Sequence, residues 1–231
     1  AVANLAYKQV PMTIKFDDIS SSLIRESIYW MGRFHDIGKY SSYFQNYLIN
    51  NINSKLKNHA HISACYTYNF LLDRYHKENV DENTYKIFIF LCYLSVRLHH
   101  TSLRRDGLFQ DGIWNDLELL EKHLINKGES IFKDINLEDS VSFEQFLRYF
   151  DIKPLKKNKL WFEYIPLMFN NGRISDPKWY FLLIYVFSLI IDIDKLDSAY
   201  IKPQKIRRVS PNNVTKYINS KKVGEDKSDL I

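Results

Sequence analysis

The chain has 231 residues, of which 45% are apolar and 15% aromatic, and its formal net charge is +5. This length and composition suit one large domain with a sizeable core, and the scarcity of glycine (7) and proline (6) argues against a turn-rich β-sandwich or a disordered chain. Residues 201–231 alone carry a net charge of +5, so residues 1–200 are close to neutral, which excludes a uniformly basic DNA-coating protein.

The hydrophobic periodicity predicts an all-α fold with a single core and no strands. Residues 1–15 show no clear period, and the first helix is predicted from the capping residues at 17–22 to Phe34, with Gly38 suited to a left-handed C-terminal cap. Further helices are predicted at residues 42–50, 59–77, 81–99, 115–126, 142–151 and 178–200. Loops are predicted at residues 51–58, 104–112 and 170–177, with a basic linker at 153–159 and a basic C-terminal tail at 201–231.

Cys65 and Cys92 both lie in apolar helical patterns, so we expect buried free thiols in a reducing cytoplasm. No signal peptide is visible in the sequence. The most apolar run, residues 179–191, is too short to span a bilayer and is predicted to be a central buried helix. We therefore expect a cytoplasmic protein that does not enter a membrane.

Histidines gather at three predicted helix ends, at His35, at His59 with His61, and at His99 with His100. The remaining two, in polar surroundings, are expected to be solvated. Helix ends can converge on one cleft, and neutral imidazoles with a carboxylate are good ligands for divalent transition metals. The carboxylate of Asp36 could bridge two ions about 3.5–4 Å apart, the usual spacing in two-metal phosphoesterases. When the dipeptide is considered alone, an exposed, helix-ending polar pair is the better explanation of His35-Asp36.

Three aspartates interrupt the apolar pattern of the last predicted helix, at Asp192, Asp194 and Asp197. A carboxylate on a core-facing helix needs a cation or a metal as partner. The alternative is that the helix simply emerges into solvent after Ile191. One aspartate suffices as a ligand, and the spacing does not choose among the three.

Four segments together resemble a known family. They read GRFHDIGKYSSYFQNYL (residues 32–48), HAHISACYTYNFL (59–71), VRLHHTSLRRDG (96–107) and FSLIIDIDKLDSA (187–199). In this order they resemble the HD-superfamily nuclease subunit of CRISPR type I interference, in the stand-alone form whose helicase is a separate chain. The resemblance implies a single-domain HD-superfamily helical fold over residues 1–200.

The resemblance also assigns roles to individual residues. It implies one or two divalent transition-metal ions (Mn, Ni, Co, Fe or Zn), with Asp36 and Lys39 in catalysis and Lys39 steadying charge on the phosphate. Single-stranded DNA is the implied substrate, with RNA or an R-loop strand as further possibilities, and a helicase subunit and a CRISPR effector complex are the implied partners. Next to the double histidine, Arg97, Arg104 and Arg105 are expected to guide the phosphate backbone. The implied metal ligands are His35, Asp36, His59, His99, His100 and Asp194.

One departure from the family concerns the number of ions. The family carries a histidine well before the His-Asp pair, and this chain has none before His35; Thr13 or a neighbour stands in that place. The sequence is therefore compatible with one tightly bound ion or with a weaker second one. Two other functions stay open at this point, an HD-type phosphohydrolase acting on nucleotides or cyclic dinucleotides, and a catalytically degenerate scaffold that recruits a helicase.

Overall fold

A computed structural model of the chain describes residues 2–11, 14, 16, 19–74, 81–101, 121, 132, 142–157, 169–170 and 173–199. Several predicted features lie outside these residues: the loop at 104–112, nearly all of the helix at 115–126, and the basic tail at 201–231. Ala1–Tyr200 form one compact unit.

The fold is all-α, as the periodicity predicts. The 3-10 turns are Ile37–Tyr40 and Lys55–Lys57. The helices are α1 (Val2–Gln9), α2 (Ser21–Phe34), α3 (Ser42–Asn50), α4 (His59–Arg74), α5 (Glu82–Leu98), α6 (Phe143–Arg148), α7 (Lys153–Lys157) and α8 (Pro177–Ser198).

Helix starts follow the predicted capping residues. The side chain of Ser20 accepts a hydrogen bond from Leu23 N at 3.2 Å at the start of α2, and the side chain of Asp81 accepts one from Thr84 N at 2.9 Å at the start of α5. Ser142 forms a complete capping box at the start of α6. These side chains satisfy amide groups that the first turn of a helix leaves without partners, which is why the starts were readable from the sequence.

Three local predictions were wrong. Residues 2–9 form α1 although no period was visible, because two turns of helix are too short to display one. The predicted linker at 153–159 contains α7, with Pro154 in the first turn, where its missing N–H costs nothing. The predicted loop at 170–177 contains an antiparallel pair of two-residue strands, β1 (Phe169–Asn170) and β2 (Arg173–Ile174), too short for any alternation to be seen.

The centre of the core is α5 rather than the apolar run at 179–191. Every residue of α5 from Ile87 to Leu98 is buried, and α5 packs against both α4 and α8. Helix α8 buries one face against α1, α2 and α5, whereas Phe181 on its other face is 65% exposed. The apolar run of α8 was therefore misread, because an apolar composition does not tell how many sides of a helix have neighbours.

A second, smaller cluster of aromatic residues lies beside this core. It joins the end of α2, the middle of α4 and the region around α6 through Phe34, Ile62, Tyr66, Phe132, Phe146 and Phe150. Both cysteines are buried free thiols, as predicted. Among the described residues, no helix combines the length and the apolar character needed to cross a membrane.

Candidate metal centre

The six predicted ligands come together at one place, although four elements supply them. His35 caps the C-terminal end of α2 and Asp36 follows it directly. His59 is the first residue of α4, and His99 with His100 follows the last residue of α5. Asp194 lies in the last turns of α8. The side chains form two groups, each with ligand atoms within 4.8 Å of one another: Asp36, His59, His99 and His100; and His35, Asp36 and Asp194.

In the first group, three imidazoles surround one oxygen of Asp36. Asp36 Oδ1 lies 3.0 Å from His59 Nε2 and 3.7 Å from His99 Nε2. His100 Nε2 lies 2.9 Å from His59 Nε2. Four atoms with lone pairs thus face one another across a small space.

The second group uses the other oxygen of Asp36. Asp36 Oδ2 lies 3.4 Å from His35 Nε2, and His35 Nε2 lies 3.4 Å from Asp194 Oδ1. The carboxylate of Asp36 therefore belongs to both groups, with one oxygen for each. This is the arrangement required of a carboxylate that bridges two ions.

Backbone carbonyls fix the protonation pattern of two of the imidazoles. His35 Nδ1 lies 3.0 Å from Gly32 O, and His99 Nδ1 lies 2.5 Å from Val96 O. A carbonyl oxygen only accepts, so both Nδ1 atoms carry the proton when the ring is neutral, which leaves each Nε2 lone pair aimed into the cluster. Metal-ligating histidines characteristically donate their second ring N–H to such a partner.

The charges of the cluster favour metal binding near neutral pH. Burial opposes ionisation of Asp36, but the facing rings of His59 and His99 outweigh it and hold the pKa of Asp36 far below its usual range. The hydrogen bond from His35 lowers the pKa of Asp194. Burial lowers the pKa of His59, and burial together with the neighbouring rings lowers the pKa of His100 to about 4. Anionic carboxylates and neutral imidazoles are the protonation states that a metal requires.

His35 behaves differently from the other imidazoles. Burial alone would lower its pKa, yet the hydrogen bond to Asp194 and the negative charges of Asp36 and Asp194 outweigh burial and raise the pKa of His35. The two carboxylates thus favour a proton on His35. A bound cation would balance their negative charge in place of that proton.

The donor atoms fit a metal ion. Two of them, Asp36 Oδ1 and His99 Nε2, are buried and have no hydrogen-bond partner among the described residues. Ligands placed about 2.1 Å from one ion are separated by roughly 3.0–3.4 Å in octahedral or tetrahedral geometry. Three of the separations in the first group, 2.9, 3.0 and 3.7 Å, lie in or close to that range, and all ligand atoms of the group lie within 4.8 Å of one another. An ion in this space would satisfy both orphaned atoms.

Gly38 lets α4 pack closely against the Ile37–Tyr40 turn, which directly follows Asp36 and is called the ligand turn below. The prediction that Gly38 is a left-handed helix cap was wrong. Gly38 lies inside the 3-10 turn Ile37–Tyr40. The left-handed cap is instead found at Asn51, at the end of α3. A Cβ on Gly38 would lie 3.0 Å from the carbonyl carbon of His59 and closer still to its oxygen. Gly38 N also donates a 3.0 Å hydrogen bond to Ser63 Oγ. The absent side chain thus lets His59 approach Asp36.

The remaining predicted residues differ in their placement. Lys39 Nζ lies 2.7 Å from Asp36 Oδ2, at the edge of the cluster. Arg97 is buried, which does not favour the expected contact with DNA, while Arg104 and Arg105 lie outside the described residues. Asp192 is exposed and in neither ligand group.

Two more residues near the predicted ligands have different outcomes. The side chain of Asp197, the last of the three aspartates on α8, lies outside the part of the chain that the structure describes. His61, two residues after His59, is in neither ligand group, and burial, followed by the charge of Arg97, lowers its pKa to about 3. His61 is therefore a half-buried neutral imidazole outside both ligand groups.

Sequence reasoning missed the residues that orient the ligands. Gly32 and Val96 supply the carbonyls for His35 and His99, in both cases three residues before the histidine. A helix end leaves its last carbonyls without intrahelical partners, so a histidine just past the end can donate back to one of them. The position of both histidines at predicted helix ends was the signal that could have revealed these bonds.

In comparisons with protein-family models, with curated proteins and with solved structures, nothing matches this chain.

Proposed function

We propose that this protein is a metal-dependent phosphodiesterase that cleaves single-stranded DNA, an HD-type nuclease. The observation that carries the proposal is the carboxylate of Asp36, which presents one oxygen to three imidazoles and the other to His35, beside Asp194. Such a shared carboxylate is typical of sites that hold two divalent ions on a phosphodiester.

The residues of this chain have distinct tasks in the proposed reaction. His59, His99 and His100 with Asp36 hold one ion, and His35 and Asp194 with Asp36 hold a second, more weakly ligated one. When bound, a divalent transition metal supplies Lewis acidity and lowers the pKa of a water molecule towards neutrality. Lys39, whose side chain is 37% exposed and whose ammonium lies beside Asp36 Oδ2, turns towards the substrate and stabilises the negative charge of a phosphate.

The resemblance of the four sequence segments supports a place in CRISPR interference. In that setting the substrate strand is delivered by a separate helicase chain and an effector complex. The basic segment at 201–231 is a candidate contact for either partner because its charge complements nucleic acid and acidic protein surfaces. The identity of the metal is part of the proposal, with Mn, Ni, Co, Fe and Zn as the ions to be tested.

A cleavage assay on circular single-stranded DNA tests the proposal, with each ion added to EDTA-treated protein. We expect cleavage with Mn or Ni, and a loss of at least a hundredfold in the double variant His35→Ala with Asp36→Ala, which removes ligands from both groups. Asp192→Asn, an exposed carboxylate two residues from Asp194, is the matched control and should cleave normally. Unchanged cleavage by the double variant would show that the activity belongs elsewhere. Turnover of nucleotides without DNA cleavage would contradict the proposed substrate.

A further inference from the structure

A row of aromatic and basic side chains borders the metal centre on one side. The ring of Phe44 packs edge-to-face on His59 with centroids 4.9 Å apart, and the ring of Tyr47 follows 6.3 Å from Phe44. Lys57 Nζ lies over the Tyr47 ring, 4.1 Å from its centroid. Tyr40 ends the 3-10 turn that begins directly after Asp36. We call Tyr40, Phe44, Tyr47 and Lys57 the α3 track.

The rings of the α3 track are not explained by core packing. Tyr40 is 60% exposed, and Phe44 and Tyr47 are half-buried, so each keeps ring surface open to solvent. Tyr43 of α3 is half-buried and packs against the aromatic cluster around Phe34. No residue of α3 is fully buried, so Phe44 and Tyr47 lie on a helix that is open to solvent.

The α3 track is held firmly to the ligand turn. Gln45 Nε2 donates a 2.7 Å hydrogen bond to the carbonyl oxygen of Lys39, and Ser41 Oγ accepts from Phe44 N at 3.4 Å. Helix α3 also packs against the Lys55–Lys57 turn. The open rings therefore keep a fixed position relative to the metal ligands.

Building on the proposed function, we propose that the α3 track is a subsite for unpaired bases, which guides a single strand towards Asp36. Accessible aromatic rings stack on any base, and neighbouring lysines neutralise the backbone; proteins that bind single strands without sequence preference combine these two features. Bases in a duplex are already stacked on one another, so the subsite selects unpaired strands irrespective of sequence. Tyr40 provides an exposed stacking surface, Tyr47 provides the face of its ring that Lys57 leaves uncovered, and Lys57 supplies the charge.

Binding of labelled 20-mers to the full-length, EDTA-treated protein tests this subsite without relying on catalysis. The probes are oligo-dT and an abasic oligomer of the same length, compared by fluorescence anisotropy at fixed salt. We expect wild-type protein to prefer oligo-dT at least tenfold. Tyr47→Ala and Tyr40→Ala should each reduce this preference at least about fivefold, since base–aromatic stacking is sequence-tolerant and lost with the ring. Tyr47→Phe should restore it.

Phe181→Ala is the matched control because Phe181 is exposed to a similar degree, 65%, and lies thirteen residues before Asp194 on α8, about 20 Å along the helix axis. It should leave the preference unchanged. Equal wild-type affinity for the two probes would overturn the inference, as would tyrosine variants that keep the full preference or a control that loses it.

The same preparation separates this inference from the proposed function. Hydrolysis of bis(p-nitrophenyl) phosphate, a phosphodiester without bases, is measured with wild-type protein and each of the five ions in turn. If neither this probe nor DNA is hydrolysed with any of the five ions, the proposed function fails and the guiding role fails with it. If hydrolysis occurs but oligo-dT is not preferred over the abasic oligomer, the inference alone fails.

Discussion

At the residue scale, Asp36 Oδ2 contacts two side chains with different tasks, the His35 imidazole at 3.4 Å and the Lys39 ammonium at 2.7 Å. A metal ion and an ammonium both carry positive charge, so Lys39 opposes metal binding while it remains beside this oxygen. The arrangement makes sense if Lys39 turns towards the substrate phosphate when the site is loaded. In the proposed reaction, Lys39 would then act on the charge that develops on the phosphate.

We therefore expect Lys39→Met to lower kcat on single-stranded DNA by about ten- to a hundredfold without loss of bound metal. The reason is that the variant removes a charge aimed at the phosphate and leaves every predicted ligand in place. Steady-state cleavage and metal content measured on the same sample check the prediction. Lys153→Met, at an exposed lysine of α7, is the control and should keep the wild-type kcat. Loss of metal together with activity would assign Lys39 to the support of the ligands instead.

At the scale of single elements, Gly38 shows how a turn and a helix are fitted together. The carbonyl of His59 occupies the place of its missing side chain, and Ser63 of α4 accepts its N–H. We expect Gly38→Ala to destabilise the fold by about 1–3 kcal/mol, as overpacking of a tight contact does, and to weaken metal binding because His59 must move away from Asp36. Chemical denaturation and metal titration measure the two effects.

Tyr40→Ala is the control for Gly38→Ala because it changes the same turn at a side chain that is 60% exposed. Its free energy of unfolding should stay within about 0.5 kcal/mol of the wild-type value. A Gly38→Ala protein with wild-type stability would show that the turn and α4 shift apart without cost.

Two interactions connect α4 with the region of α6 and α7: a buried side-chain amide and an ion pair at the surface. Asn69 Nδ2 lies 2.9 Å from Tyr149 O and 2.5 Å from Asp151 O, and the residue is 7% exposed. Nearby, Asp73 pairs with Arg148 at the surface, where both side chains are more than half exposed.

We expect Asn69→Ala to lower the free energy of unfolding by about 1–3 kcal/mol, because the carbonyl of Tyr149 loses the Asn69 amide as donor and that of Asp151 keeps only the Cys65 thiol. Asp73→Ala should lower the free energy of unfolding by less than about 1 kcal/mol, since exposed ion pairs contribute little to stability. Urea unfolding of both variants under the same conditions makes the comparison. An equal loss of unfolding free energy in the two variants would mean that water replaces the amide of Asn69 at this site.

The sequence allowed much of the fold and of the site to be predicted, for reasons that are local. Capping residues marked the starts of α2 and α5, and the helix ends carried the histidines that meet in the metal centre. Gly38 shows where local reasoning stops: its contact is with His59, 21 residues later, and no backbone preference of a glycine reveals a tertiary contact. The central position of α5 depends likewise on which helices pack around it, and that is a property of the whole fold.

At the scale of the whole molecule, the metal centre joins elements that are distant along the chain. The ligand groups draw on the end of α2, the start of α4, the end of α5 and the last turns of α8. Without an ion, the imidazoles and carboxylates must share protons across short distances, and Asp36 Oδ1 and His99 Nε2 lack hydrogen-bond partners among the described residues. An ion bound by both groups would therefore stabilise the packing of α2, α4, α5 and α8 together.

Thermal unfolding should report this effect directly. An ion at a hundred times its dissociation constant stabilises the folded state by about 2.7 kcal/mol, which for a chain of this length raises Tm by roughly 5–10 °C over EDTA-treated protein. Asp36→Asn should abolish the shift because the amide is uncharged and has a single oxygen, which cannot serve both ligand groups. Asp194→Asn should reduce it by removing a ligand from the weaker group, whereas Asp192→Asn, two residues away on the same helix, should keep it in full. Equal shifts in Asp192→Asn and Asp194→Asn would place the second group outside the metal site, and no shift with any ion would mean that the folded protein holds none.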